Sequence, residues 1–243
     1  MKIIINGAGG RMGKALSKMI EGSPDITLFG AVDAYVQQEG FVSSLSQCQK
    51  GADCIIDFSN HAGTKDLMDY AVENKLPVVV CTTGHTEQEL SYIQKASMEI
   101  PVFHSGNMSV GIALLTRLAK ETAKMFPDAD IEIVESHHNQ KLDVPSGTAL
   151  MLAKAVQQVR TKAKLLVGRH ENGKRTKEEI GIHSLRMGNT VGIHEVIVNT
   201  GTQMITLKHE AQDRSLFAEG ALTAAAFLTA QTPGLYNMED LVK

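Results

Sequence analysis

Cysteine is scarce in this chain of 243 residues: only Cys48, Cys54 and Cys81 occur. The number is odd, and neither a CxxC pair nor a zinc-type spacing is present. That argues against a disulfide scaffold or a structural metal and fits a reduced, cytoplasmic home. Long apolar runs are missing too. The run at residues 2–6 (Lys-Ile-Ile-Ile-Asn) holds three isoleucines, too few for a signal-peptide apolar region, and nothing reaches membrane-spanning length. Charge of one sign is also lacking. A formal net charge of −3 offers no electrostatic reason to expect nucleic acid or an anionic membrane as partner. Basic residues do gather at 160–177, but Glu171 interrupts them, Glu178 and Glu179 follow, and no aromatic ring stands among them for base stacking. The segment reads as a solvated loop. No internal repeat is visible.

What is present is an alternation. Apolar runs at 2–6, 26–32, 53–57, 77–81 and 101–104 read as strands, and amphipathic stretches at 11–21, 62–74 and 86–97 read as helices. Strands apolar on both sides, separated by helices, predict an α/β unit built on a doubly wound parallel sheet. Segment 34–52 breaks the rhythm, with only a marginal helix over 41–50. From about residue 108 the pattern changes to a helix over 110–125, a strand over 130–137 and a helix over 147–158. Three β-like runs follow at 181–187, 192–199 and 203–209, the last two joined by Thr200-Gly201-Thr202. This is an α+β unit with a small open mixed sheet. Residues 216–228 are apolar nearly all round and predict a buried helix that ends at Thr232-Pro233-Gly234. The expected division is 1–108, completed by 215–243, and 109–214.

Residues 5–13 read Ile-Asn-Gly-Ala-Gly-Gly-Arg-Met-Gly. A strand ends, glycines turn the chain, and a helix opens with free N–H groups that can cradle a pyrophosphate. Met12 holds the third position of a strict GxGxxG, so Gly7, Gly10 and Gly13 follow a GxxGxxG spacing instead. A plain βα turn can look like this. The case for a dinucleotide rests on context: the loop follows the first strand, opens a helix, and is answered by Asp33 at the end of the second strand, where an acid can accept from ribose hydroxyls. Thr82-Thr83-Gly84 and Ser105-Gly106-Asn107-Met108 follow two further strands, at the edge where such sheets bind ligands.

The densest chemistry lies in residues 135–149, ESHHNQKLDVPSGTA. His137 and His138 are neighbours on a strand end and point to opposite faces, which disfavours one metal taking both. Lys141 adds an ammonium group. Ser146 suits the N-cap of the next helix, whose first turn carries no acid, so Gly147 and Thr148 offer N–H groups to an anion. Taken singly, each feature has an ordinary structural explanation. Together they describe a site for a small carboxylate, built to move a proton. Ser146 lies in no GxSxG elbow, which argues against a Ser-His-Asp hydrolase.

These motifs together (GAGGRMG, CTTG, SGNMSVG, ESHHNQKLDVPSGTA, QDRSLFAEGA and GLYNMEDLV) resemble the 4-hydroxy-tetrahydrodipicolinate reductase family of bacterial lysine biosynthesis, also called dihydrodipicolinate reductase. The likeness runs along essentially the whole chain. It implies a Rossmann domain joined through two hinges to a substrate-binding and oligomerisation domain, with the last helix rejoining the first. It implies reduction of a cyclic imine dicarboxylate, formed from pyruvate and aspartate semialdehyde, by NADH or NADPH, in a homotetramer. By motif, His137 is the proton donor and Lys141 its partner. His138, Ser146, Gly147, Thr148 and Lys141 face the substrate. Gly7, Gly10, Arg11, Met12, Gly13, Asp33, Thr82, Thr83, Ser105, Gly106, Asn107 and Met108 face the cofactor. Asp33 stands where the family often has glutamate, and Ala34 replaces the arginine that commonly follows, so NADH is the expected preference. Two alternatives remain at this stage: another two-domain dehydrogenase, or an NAD-binding redox sensor without catalysis.

Overall fold

The structure is a computed structural model that describes residues 1–243. Its first stretch runs β1 (Lys2–Asn6), α1 (Arg11–Glu21), β2 (Thr27–Val32), β3 (Phe41–Val42), β4 (Cys54–Asp57), α2 (Thr64–Glu73), β5 (Val78–Val80), α3 (Glu87–Ala96) and β6 (Pro101–His104). The α3 start shows how sequence sets a boundary. Thr86 accepts from the Glu89 N–H while the Glu89 carboxylate accepts from the Thr86 N–H, a reciprocal capping box.

The chain then forms α4 (Val110–Met125), β7 (Asp130–His137), α5 (Gly147–Val159), β8 (Lys164–Val167), β9 (Glu179–Arg186), β10 (Gly192–Asn199) and β11 (Met204–Ala211). It ends in α6 (Ser215–Leu228), β12 (Gly234–Tyr236) and α7 (Met238–Leu241). Two compact units result: Met1–Val110 with Ser215–Leu241 and Lys243, and Gly111–Arg214 with Val242.

In the first unit, seven strands lie in the order β12-β6-β5-β4-β1-β2-β3, every pairing parallel. Strand order reverses between β1 and β4, the switch point beside which such sheets bind ligands. Both faces are buried, as the unbroken apolar strands predicted. Ile4, Ile55, Val78, Val80 and Val102 pack with Leu67, Met68 and Ala71 of α2 and Ile93 and Ala96 of α3. Helix α6 lies against α1, β4, β5 and β6, which explains why it is apolar nearly all round.

The second unit holds a mixed sheet ordered β11-β10-β7-β9-β8. Pairings of β7 with β9 and of β9 with β8 are parallel, and those of β10 with β7 and β11 are antiparallel. One face of the sheet is apolar and covered. Ile131, Ile133, Ile180, Ile182, Val196 and Val198 pack under Ile112, Leu115 and Ala119 of α4 and Leu152, Ala153 and Val156 of α5.

Two expectations change, and one strand is added to them. Residues 41–50 form no α-helix: Phe41 and Val42 pair with Ala31 and Val32 as an edge strand, and Leu45–Gln47 makes one 3-10 turn. A β-branched and an aromatic residue followed by two serines suit an edge strand and a turn better than a helix. The basic segment 160–177 is not simply a solvated loop, because it contains β8. Its arginines at 160 and 175 are turned inward. Arg160 donates to the carbonyls of Ala129 (2.7 Å) and Phe126 (2.5 Å), and Arg175 to those of Ile131 (3.0 Å) and Glu179 (2.8 Å). Loop and strand-end carbonyls need donors when buried, and a guanidinium supplies several at once. Finally, Gly234–Tyr236 adds a strand beside β6, beyond the stop foreseen at Thr232-Pro233-Gly234.

Candidate active site

The glycine loop after β1 is shaped by contacts that only glycine permits. Gly7 has φ +84°, and a Cβ there would lie 2.7 Å from the Phe58 carbonyl oxygen; one on Gly13 would lie 2.3 Å from the Gly7 oxygen. Gly10 caps α1 without a side-chain bond, and the first turn of α1 carries no acid. The N–H groups of Arg11, Met12 and Gly13 therefore have no carbonyl partner within the helix and no competing anion. Such a cradle fits a pyrophosphate. Arg11 is exposed and Met12 half-buried at its rim.

Asp33 sits beside it. Its carboxylate accepts from the N–H groups of Gly9 (2.9 Å), Tyr35 (3.0 Å) and Val36 (3.0 Å). Burial pushes this carboxyl up, but the three N–H groups and the Lys14 charge more than offset it and hold it below the usual carboxylate range. It is an anion with room for one more donor, and it opens onto a cleft of about 700 Å³ lined by Val36, Gln38, Phe41 and Gln47 among others.

Along the same strand-end edge, Asp57 at the end of β4 is buried. It accepts from Asn6 (2.8 Å), Ser59 (2.5 Å) and the Thr82 hydroxyl (2.6 Å). That bond fixes Thr82, which is buried, while Thr83 is exposed next to it. Both line a pocket of about 230 Å³ with Ser59 and His61. After β6, the Ser105 hydroxyl donates to the Asn107 carbonyl (2.8 Å), and Asn107 Oδ1 accepts from the Ser109 N–H (2.9 Å). Gly106 is exposed and Met108 buried. A Cβ on Gly220 of α6 would fall 1.6 Å from the Met108 oxygen, so that glycine allows α6 to seat this loop. The glycine loop, Asp33, Thr82–Thr83 and 105–108 thus all gather at the carboxyl ends of neighbouring strands of one sheet.

In the second unit, the residues on the covered face of the sheet change character toward one end. Ile131 and Ile133 of β7 are followed at the same parity by Glu135 and His137; Val198 and Val196 of β10 give way to His194. The Glu135 side chain is completely buried, yet its partners are full-strength. Its oxygens accept from His137 Nδ1 (2.5 Å), from Arg186 Nη1 and Nη2 (2.8 and 2.9 Å), and from the Ser146 N–H (3.1 Å). Burial alone would raise this acid; the Arg186 fork, His137 and Ser146 bring it down to about 2. Glu135 is ionised.

His137 is 8% exposed. Burial lowers its proton affinity most, Glu135 raises it, and Lys141 and Arg186 lower it again, for a net downward shift. The His194 ring stands 5.1 Å away, edge to face. Its Nε2 lies 3.2 Å from Ser146 Oγ, and its Nδ1 is buried with no hydrogen-bond partner. Burial and the neighbouring His137 push His194 down to about 4, so it is neutral at ordinary pH.

Lys141, half-buried, pairs with Asp143 at 2.8 Å. Arg186 also donates to the Asp143 carbonyl at 2.7 Å, pinning the loop that carries Lys141. His138 is half-buried on the other parity from His137. The Ser146 hydroxyl caps α5 by accepting from the Ala149 N–H (3.2 Å) and is 1% exposed. Gly147 is exposed, with open space where a Cβ would stand, and the first turn of α5 carries no acid. The arrangement brings an imidazole on a buried carboxylate together with a cation and a helix N-terminus whose first turn carries no acid.

Three of these participants carried no role in the sequence reading. Glu135 was legible, because its i, i+2 spacing from His137 on a strand puts both on one face. His194 had a weaker signal, as a polar residue in register with Val196 and Val198. Arg186 had none, since it meets Glu135 across 51 residues of chain.

Comparison with known proteins gives a consistent result. The family model "Dihydrodipicolinate reductase, N-terminus" matches residues 1–108, and "Dihydrodipicolinate reductase, C-terminus" matches residues 111–242. The chain belongs to the dihydrodipicolinate reductase family. Members of this family are NAD(P)H-dependent oxidoreductases of lysine and diaminopimelate biosynthesis. A 4-hydroxy-tetrahydrodipicolinate reductase from Caldanaerobacter subterraneus subsp. tengcongensis is 46% identical, with 100% of this chain and 98% of the relative aligned. One from Clostridium novyi is 39% identical over the same shares. Among solved structures, a dipicolinate-bound dihydrodipicolinate reductase from Paenisporosarcina sp. TG-14 has a TM-score of 0.79 at 24% identity, covering 99% of this chain and 98% of that one. That likeness supports the reductase fold. No helix of the chain is long and apolar enough to cross a membrane.

Proposed function

We propose that this protein reduces 4-hydroxy-tetrahydrodipicolinate to tetrahydrodipicolinate, with NADH preferred over NADPH. The observation that carries the reading is the His137–Glu135 pair beside Lys141 and the acid-free N-terminus of α5, in a chain of this family. When bound, the dinucleotide supplies a hydride to the conjugated imine ring and leaves oxidised. The remaining changes fall to the protein. The ring must gain one proton to complete the addition of two hydrogens, and the hydroxylated form must also release its hydroxyl as water.

His137 serves as the proton donor: its charged form delivers a proton from Nε2, and solvent restores it. Lys141 supplies positive charge near the developing anion. The N–H groups of Gly147 and Thr148, with His138, hold carboxylates of the substrate. Ser146 acts from beneath, because its hydroxyl is committed to the α5 cap and the His194 contact. In the first unit, Gly7, Gly10, Arg11, Met12 and Gly13 hold the pyrophosphate and Asp33 the ribose. Thr82, Thr83 and Ser105–Met108 line the nicotinamide side. The division 1–108 plus 215–243 against 109–214 is then one between cofactor and substrate. The assembly is a homotetramer through the sheet face opposite α4 and α5, where Val134, Ile193 and Ile197 are half-buried without a helix over them.

Dipicolinate, a planar dicarboxylate of the same ring size, tests the site directly. Calorimetric titration into the NADH-loaded protein should show binding that weakens at least tenfold in Lys141→Ala. Equal binding by both proteins would contradict the assignment.

A further inference from the structure

The network around His137 carries an inference beyond the proton donor itself, and it rests on the reading of His137 as that donor. We propose that Glu135 and Arg186 form a matched pair of positioning residues: the carboxylate holds the Nδ1–H of His137, so that Nε2 alone exchanges the proton, and the guanidinium offsets the carboxylate's charge so that the imidazole both gives up its proton and regains it.

The geometry supports each half. A carboxylate accepts only, so a neutral His137 bonded to it at 2.5 Å must keep its hydrogen on Nδ1. Nε2 is left as a lone pair after donation and as an N–H before it. The ring cannot flip without breaking this bond inside a buried site, where the loss of a short, charge-assisted hydrogen bond is costly. Glu135 alone would act as an isolated buried anion and hold the imidazolium too firmly to release a proton. Arg186 prevents that by taking both carboxylate oxygens in a fork. The two come from neighbouring parallel strands, with His137 registered opposite Arg186. One sheet pairing therefore sets the whole arrangement.

Other charged and titratable groups face His137 from the surrounding elements. Lys141, in the loop after β7, opposes its protonation, and Asp143 pairs with Lys141. From β10, His194 stays neutral, with His209 of β11 beyond it. None of these hydrogen-bonds the ring as Glu135 does.

The test is the pH dependence of kcat. A general acid loses activity as pH rises through its own pKa, so the wild-type profile should fall on the alkaline side and His137→Gln should abolish that limb. Glu135→Gln removes the anion and should move the midpoint of the limb down by about one unit or more. Arg186→Met leaves the anion unopposed and should move it up by a similar amount. NADH affinity should be unchanged in both. If His137→Gln keeps the limb, the donor assignment itself fails. If the limb depends on His137 yet neither of the other variants moves its midpoint, the matched-pair proposal fails alone. Should a variant not fold, the wild type still decides. The 15N spectrum of its His137, taken above the ring's pKa, must show hydrogen on Nδ1, and hydrogen on Nε2 would overturn the proposal.

Discussion

The Ser146 N–H donates to Glu135 Oε1 at 3.1 Å, so the residue that caps α5 is bonded to the acid that holds His137. The N-terminus of α5 and the His137 ring are therefore placed by one hydrogen-bonded network. Glu135 reaches β9 through Arg186, and the loop carrying Lys141 through Arg186 and the Asp143 carbonyl. A site assembled this way keeps its geometry without relying on any loop to hold itself.

Substitution should separate the roles within that site. His137→Ala removes the proposed donor and should lower kcat about 10²- to 10⁴-fold with NADH affinity intact. His138→Ala should act mainly on KM, and Lys141→Ala on both constants. Steady-state kinetics with NADH-binding titrations check all three. Near-normal turnover in His137→Ala would place the proton on Lys141 or water instead.

Gly192 gives a sharper probe of position. A Cβ there would lie 3.1 Å from His137 Nε2, close enough to press on the ring without adding charge. Gly192→Ala should lower kcat by about tenfold, since small misplacements of a reacting group are costly. NADH affinity should stay unchanged. A variant with wild-type kcat would contradict the claim that the exact position of the His137 ring limits turnover.

Stability should depend on pH through the buried histidines. His194 has a native pKa of about 4, below the 6.5 of an unperturbed imidazole. Above 6.5 both folded and unfolded chains are neutral there, and the contribution is fully present. As pH falls through 6.5 the unfolded chain takes the proton first, and stability drains until native His194 protonates near 4. The loss for this one group is on the order of 3 kcal/mol. His85, His104, His137 and His209 are shifted in the same direction. Urea unfolding from neutral to mildly acid pH should show the decline, and His194→Gln should flatten it. An unchanged slope in the variant would contradict the burial of a neutral His194.

The proposed preference for NADH rests on Asp33, which also holds the surrounding backbone. It anchors Gly9, Tyr35 and Val36 by their N–H groups, so Asp33→Ala should loosen the cleft wall as well as remove the ribose partner. The ratio of kcat/KM for NADH over NADPH should exceed one in the wild type. It should fall roughly tenfold in the variant, the worth of one charged hydrogen bond. A wild-type preference for NADPH would reverse the assignment.

Much of the fold was legible because its signals are local. Ile3–Ile5, Ile55–Ile56 and Val78–Val80 are unbroken apolar strands, and only a sheet covered on both faces buries them all. The glycine loop and the run from His137 to Thr148 were legible for the same reason. Signals that failed were those set by distant partners. Phe41–Val42 is a strand only because Ala31–Val32 lies beside it, and β8 forms inside a basic stretch because β9 offers an edge. Arg160 and Arg175 looked like surface charge until the carbonyls they satisfy were in place. Arg186 is the clearest case, since neither its neighbours nor its spacing points to Glu135.

The central claim is that this chain reduces the cyclic product of pyruvate and aspartate semialdehyde. The direct measurement couples the purified protein to the synthase that condenses those two compounds and follows NADH absorbance. NADH oxidation should require the synthase, both of its substrates and this protein, and should slow about 10²- to 10⁴-fold with His137→Ala. Binding of NADH without any oxidation in the complete mixture would contradict the claim.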